Sequence, residues 1–198
     1  PRLKGPPRPP RTGPRPVVTT MQFVRATRGE FVFDDYGSRW SVVAPNLEVT
    51  VGKVADYRGR ARFTGGTIHF QDFEPMAADL ATNFRVEGGK IVLDRIDLTT
   101  DGAQSQLTGI VDMARWPEMF YQVRSRVQFP RMREIFFAKD SFSLFGEGDF
   151  NGTFHLYKGG RELKGNFFSR VAGINDYRFG NLEGALEWVP DRFEVTRA

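Results

Sequence analysis

Hydrophobic and polar residues alternate along most of this chain. The longest clean run is Leu144 to Tyr157, L-F-G-E-G-D-F-N-G-T-F-H-L-Y. Successive side chains of a strand point to opposite faces. One face therefore carries Leu144, Gly146, Gly148, Phe150, Gly152, Phe154 and Leu156. The other carries Phe145, Glu147, Asp149, Asn151, Thr153, His155 and Tyr157. The run predicts a strand of about 14 residues, well above the usual mode of about 5–6, with an apolar side and a mostly polar side. Gly146, Gly148 and Gly152 lie on the apolar side, where they let a sheet bend or let something approach the backbone closely.

The same rhythm recurs from Val17 onward. Met21 to Thr27 leads into Gly29 to Asp35, and Trp40 to Val51 follows, interrupted by Pro45, which predicts an edge or a bulge. Tyr57, Gly59, Ala61 and Phe63 alternate with Arg58, Arg60 and Arg62, and further strand-like runs are Thr67 to Phe73, Ala81 to Val86, Ile91 to Thr99 and Gln104 to Met113. Tyr121, Val123, Ser125, Val127 and Phe129 alternate with Gln122, Arg124, Arg126 and Gln128. At Pro130 to Ala138 the period changes: a proline suited to a first helical turn, then Met132, Ile135 and Phe136, predicts one or two turns of helix. Strands resume at 142–157, 162–171, 176–188 and 191–196, with turn signals at Lys158-Gly-Gly-Arg161, Gly173-Ile-Asn-Asp176 and Pro190-Asp191. Strands at such intervals, linked by hairpin signals, predict an all-β antiparallel meander with one short helix near 130–138. Gly29-Glu-Phe-Val-Phe-Asp, Gly66-Thr-Ile-His-Phe-Gln and Gly89-Lys-Ile-Val-Leu-Asp echo one another, which points to a quasi-repeating architecture.

Composition alters this picture in two places. Residues 1–16 hold seven prolines and five basic residues, a composition that neither pairs in a sheet nor continues a helix, so they read as an extended linker. The remainder, 17–198, reads as a single sheet region. The formal charge of +4 also belongs to the N-terminal end, because residues 1–28 hold seven Arg or Lys and no acid. The rest carries 21 basic and 24 acidic residues, which argues against a nucleic-acid-binding body. Phe, at 19 copies, outnumbers Leu and favours pleated, half-buried surfaces. There is no cysteine, so neither disulfides nor thiolate metal sites are available. No run approaches the roughly 18 apolar residues of a membrane span, and no signal peptide is visible. The sequence opens without Met and ends just after the strand-like Phe193-Glu-Val-Thr, so it is expected to be a piece of a longer protein.

Candidate chemistry is sparse. His69 and His155 lie in separate strands without metal-ligand spacing and read as strand residues facing polar neighbours. Asp34-Asp35 reads as a turn pair. Glu147 and Asp149 share a face at about 6.5–7 Å, within the range of an inverting glycosidase pair, but so would any two such strand carboxylates. Arg58, Arg60 and Arg62, and likewise Arg124 and Arg126, form basic stripes that suit either solvent or phosphates. No Walker loop, nucleophile elbow or zinc signature occurs. The reading is non-enzymatic, with no cofactor and no metal, and the apolar face is the feature that needs a partner. A second sheet, closure on itself or a ligand are the three ways to cover it.

The phrases Met76-Ala-Ala-Asp-Leu, Phe84-Arg-Val-Glu-Gly-Gly-Lys-Ile-Val-Leu-Asp-Arg-Ile-Asp-Leu-Thr-Thr-Asp-Gly and Leu107-Thr-Gly-Ile-Val-Asp resemble the AsmA-like and TamB-type proteins of Gram-negative envelopes. Leu144 to Phe154, Leu163-Lys-Gly-Asn-Phe and Asn181-Leu-Glu-Gly-Ala-Leu-Glu-Trp extend the resemblance over most of residues 20–198. It implies an elongated sheet curled into an open groove, a β-taco, lined with apolar side chains. It further implies a chain tethered to the inner membrane by a segment outside this sequence, crossing the periplasm and moving phospholipid in support of outer-membrane biogenesis, with an outer-membrane assembly partner. On this basis the groove is expected to be lined by Val123, Val127, Phe150, Phe154, Leu156, Leu182, Leu186 and Trp188, with Gly146, Gly148 and Gly152 easing curvature. The competing expectation is a β-sandwich binding module for carbohydrate or protein that buries Phe150 and Phe154 between two sheets. A carboxylate-dependent hydrolase is a third.

Overall fold

The computed structural model describes residues 21–37, 39–53, 56–70 and 73–196; the proline-rich stretch 1–16 lies outside the described residues. Its strands are β1 (Phe23–Asp35), β2 (Trp40–Lys53), β3 (Tyr57–Phe70), β4 (Met76–Glu87), β5 (Lys90–Thr100), β6 (Ala103–Asp112), β7 (Met119–Gln128), β8 (Leu144–Tyr157), β9 (Gly160–Ile174), β10 (Tyr177–Val189) and β11 (Arg192–Thr196). One helix, α1 (Phe129–Phe136), lies between β7 and β8. The strands form a single 11-stranded sheet in the order β1 to β11, each antiparallel to the next. β1 and β11 do not pair with each other, so the sheet is open and not a barrel. This is the all-β meander with one short helix that the alternation predicts.

Turn chemistry sets the hairpins. Gly88 and Gly89 both have positive φ, +54° and +80°, as a two-residue turn matched to strand twist requires, and Glu87 pairs with Lys90 across it. Bulges then break the period where the sequence alone suggests separate strands. Tyr57–Phe63 and Thr67 onward are one strand, β3, with a bulge between Phe63 and Gly66. Pro45 sits at a register shift between β1 and β2, so the bulge alternative holds; β2 is an interior strand, not an edge. The three echoed glycine phrases fall at unlike places: Gly29 and Gly66 at bulges, Gly89 in a hairpin turn.

Cross-strand register places one continuous set of apolar residues on one face, and that face curls onto itself. Phe70 of β3 meets Phe154 of β8 edge-on at 6.3 Å, although four strands separate them in the sheet. Val111, Met119 and Leu156 are buried there, with Trp40, Phe70, Ile91, Leu93, Tyr121 and Phe154 packed against them. A second core forms around Ala44, Phe63 and Ala78. A methyl group on Gly66 would lie 2.5 Å from the Phe63 ring, so the absence of a side chain at Gly66 is what lets that ring lie down.

A polar clasp holds the curl at the loop between β6 and β7. The Asp112 carboxylate accepts from the backbone N–H of Ala114 and Arg115 at 3.1 and 3.3 Å and from Arg115 Nε at 3.0 Å, capping a 3₁₀ turn over Met113–Arg115. The turn delivers Trp116, whose Nε1 donates to Asp35 Oδ2 at 3.2 Å and whose ring meets Phe33 at 5.6 Å. Asp35 also accepts from Gly37 N at 2.9 Å, the turn role expected of it. Burial works against an ionised Asp112, but the bonds from Arg115 and the two backbone N–H groups together outweigh it and hold the carboxyl below the usual aspartate range. A depressed carboxyl contributes stability in full above its unfolded value of about 3.9 and loses it as pH falls through the folded value. Asp112→Asn is therefore expected to melt below the native protein at pH 7, with the gap narrowing at the acid end. Thermal melts of both proteins across that range check this, and a gap independent of pH would refute it.

Candidate apolar groove

The apolar face over β7 to β11 is built in rows. Val123 stands opposite Gly152, which stands opposite Gly165 and then Leu186; Phe150 stands opposite Phe167; and Phe154 stands opposite Leu163 and then Trp188. Val127 is opposite Gly148, and Leu182 is opposite Ser169. All eight residues expected to line a groove thus share one face, as strand periodicity requires.

They do not share one environment. Leu156 (3% exposed) and Val123 (9%) are sealed. Phe154 is held between Phe70 and Tyr121 at ring distances of 6.3 and 6.2 Å. Trp188 is packed among Phe73, Phe136, Phe137 and Phe193, with ring distances from 5.2 to 6.3 Å. Val127, Phe150, Leu182 and Leu186 are half-buried, as are Phe154, Trp188 and the neighbouring Phe167. The half-buried part of the face runs through Phe150 and Phe167, and it gives way to sealed core at Val123 and Leu156.

The glycines divide in the same way. Gly146 has φ of +97°, beside the bulge between Glu147 and Asp149, and is a genuine bend. Gly148 and Gly152 supply room. A methyl group on Gly148 would lie 2.6 Å from the Phe129 ring of α1. One on Gly152 would lie 2.7 Å from the Phe150 ring and 2.1 Å from the Lys164 carbonyl oxygen. Phe150 therefore lies over a Gly152–Gly165 pair, an aromatic ring covering a glycine gap.

Two features of this face escape the alternation pattern. The first is α1. Ile135 is 1% exposed, and its carbonyl accepts from the Glu74 N–H at 3.2 Å. Phe136 reaches both Phe73 and Trp188, so the helix covers one end of the face. The second is Arg161, opposite Leu156 on the apolar side and 9% exposed. Its guanidinium lies 4.9 Å from the Trp188 ring and 5.1 Å from the Phe73 ring. Burial pulls its pKa below the usual guanidinium range. An arginine in apolar register was the one available signal, and aromatic partners elsewhere in the sequence are needed to interpret it. Burial likewise pushes the Tyr121 hydroxyl up to about 12.

The outer face is mostly polar, with Phe120, Phe145 and Phe168 exposed on it. Of its carboxylate pair, Glu147 and Asp149, Glu147 is bonded to the Arg126 guanidinium, which holds that carboxyl below the usual range. His155 Nε2 lies 2.8 Å from Glu118 Oε1, a polar neighbour as expected. A broad trough of about 1130 Å³ is lined by polar-row residues such as Gln104, Gln106, Arg124, Asn151 and Asn166 together with Phe150 and Phe167 of the apolar rows. No described helix is long and apolar enough to cross a membrane. Comparison with protein-family models, curated proteins and solved structures finds no match for this chain.

Proposed function

We propose that this chain is a segment of a non-enzymatic conduit that carries phospholipid by its acyl chains, working in the periplasm between envelope membranes in support of the outer membrane. The observation that carries the reading is a single apolar face shared by all the strands of an open sheet, left half-exposed around Phe150, Phe167, Leu182 and Leu186. An ordinary β-sandwich has a second sheet to bury such residues; here the one sheet curls and part of its inner face stays uncovered. An acyl chain laid along it gains about 0.8 kcal/mol per buried CH₂. Such transfer breaks no bond, so it needs only a lining, a bend and a membrane-anchored neighbour on either side. The inner-membrane tether and the outer-membrane assembly partner belong to this proposal as contacts made through regions outside the present sequence.

Native mass spectrometry with lipid extraction tests it. Protein purified from a Gram-negative host is expected to carry phospholipid in a defined stoichiometry, released by organic solvent and restored by incubation with vesicles. Protein that carries no phospholipid and takes none up from vesicles would overturn the reading.

A further inference from the structure

We propose that the outer face of β1–β3 is a docking surface for an anionic phospholipid bilayer. Cross-strand register puts Phe23, Gly52 and Arg58 in one row and Arg25, Thr50 and Arg60 in the next, with Glu48 opposite Arg62 beyond them. Arg25, Arg58, Arg60 and Arg62 are all exposed. None of the four makes a hydrogen bond or an ion pair within the described residues. Several other outer-face arginines are paired: Arg85 is tied to Glu87 and Asp94, Arg95 to Asp97, Arg126 to Glu147 and Arg192 to Glu187, whereas Arg124 on β7 is the isolated counterpart of this cluster. Arg58 even stands directly opposite Arg85 on β4, a like-charge pairing that disfavours the sheet. Glu48 is the one carboxylate in these rows. Neighbouring rows are roughly 7 Å apart, within a Debye length of about 8 Å at physiological salt, so the four charges act together.

An apolar side chain sits in the same patch. Phe23 is 61% exposed on the face that carries Arg58, at the sheet's free edge, and Met21 beside it is 57% exposed. The start of the segment is fixed, because the Tyr57 hydroxyl donates to the Met21 carbonyl at 3.1 Å. Basic charge with an exposed aromatic at its rim matches a headgroup layer over acyl chains. A nucleic-acid backbone would leave Phe23 and Met21 uncovered, and beyond residue 28 the chain carries more acidic than basic residues. The surface lies on the opposite face from the groove, so it stands independently of whether that groove carries lipid.

Co-sedimentation of the full 198-residue chain tests it. One set of vesicles mixes phosphatidylglycerol with phosphatidylcholine, and another is phosphatidylcholine alone. Binding is expected only to the first, weakening as salt is raised. R58Q/R60Q is expected to bind roughly 25-fold more weakly, about fivefold per arginine, and R58K/R60K to stay near the native value. R192Q, at a paired arginine on β11, is expected to change nothing. Because the basic residues before Met21 are common to every variant, native-like binding by a folded R58Q/R60Q would overturn the assignment. So would equal binding to uncharged vesicles, or tighter binding to a DNA duplex with the same dependence on Arg58 and Arg60. Circular dichroism melts confirm that the exposed substitutions leave the fold intact.

Discussion

Truncating Leu156 to alanine is expected to destabilise the protein by about 2–5 kcal/mol, the range for removing a well-packed aliphatic side chain and leaving a cavity. Leu156 sits where β8 meets β2 and β3 through Trp40 and Phe70, so its loss hollows the contact that keeps the sheet curled. Val171→Ala, on a residue 52% exposed, is expected to shift stability by no more than about 0.5 kcal/mol. Urea denaturation of the two variants beside the native chain provides the comparison. Equal midpoints would show that the packing around Leu156 does not hold the structure together. The cost is a large share of the roughly 5–15 kcal/mol that a domain ordinarily has.

The second large effect is on lipid loading. Phe150→Asp places a carboxylate on the half-open part of the apolar face, where burying it under an acyl chain costs several kcal/mol. Co-purifying phospholipid is expected to be lost while the melt moves far less than for Leu156→Ala. A photo-crosslinker at Phe150 should label acyl chains; the same group at Asn151, one residue away on the opposite face, should not. Labelling at both positions or only at Asn151 would count against an acyl-lined groove. Phe150 is a better probe than Phe154, because Phe154 is already engaged by Phe70 and Tyr121.

The strand pattern was legible because alternation is a local property. From Leu144 to Tyr157 the side chains fall on the faces that the sequence assigns them, and the helix expected near 130–138 is found at Phe129–Phe136 with Pro130 in its first turn. Bulges were harder to see. Residues 57–70 contain a glycine pair that resembles a turn, yet Gly65 at φ +68° only absorbs an extra residue within one strand. What alternation cannot supply is curvature. Whether Phe154 lines an open surface or meets Phe70 depends on how far the sheet rolls between β3 and β8, and that sums small twists and bulges over several strands. This is why Val123 and Leu156 belong with the sealed residues while Phe150 and Leu182, of the same pattern, do not. Arg161 was illegible for a related reason: its aromatic neighbours Phe73 and Trp188 come from remote parts of the chain.

The strictly sequential strand order has a consequence for assembly and for evolution. Since every strand bonds only to its predecessor and successor, a growing chain can zip up as it emerges, each new ribbon completing the last without waiting for a distant partner. The same arrangement tolerates length changes only in pairs. Removing or adding two consecutive strands preserves the direction of everything downstream, whereas removing one reverses it and sends each later turn to the opposite rim.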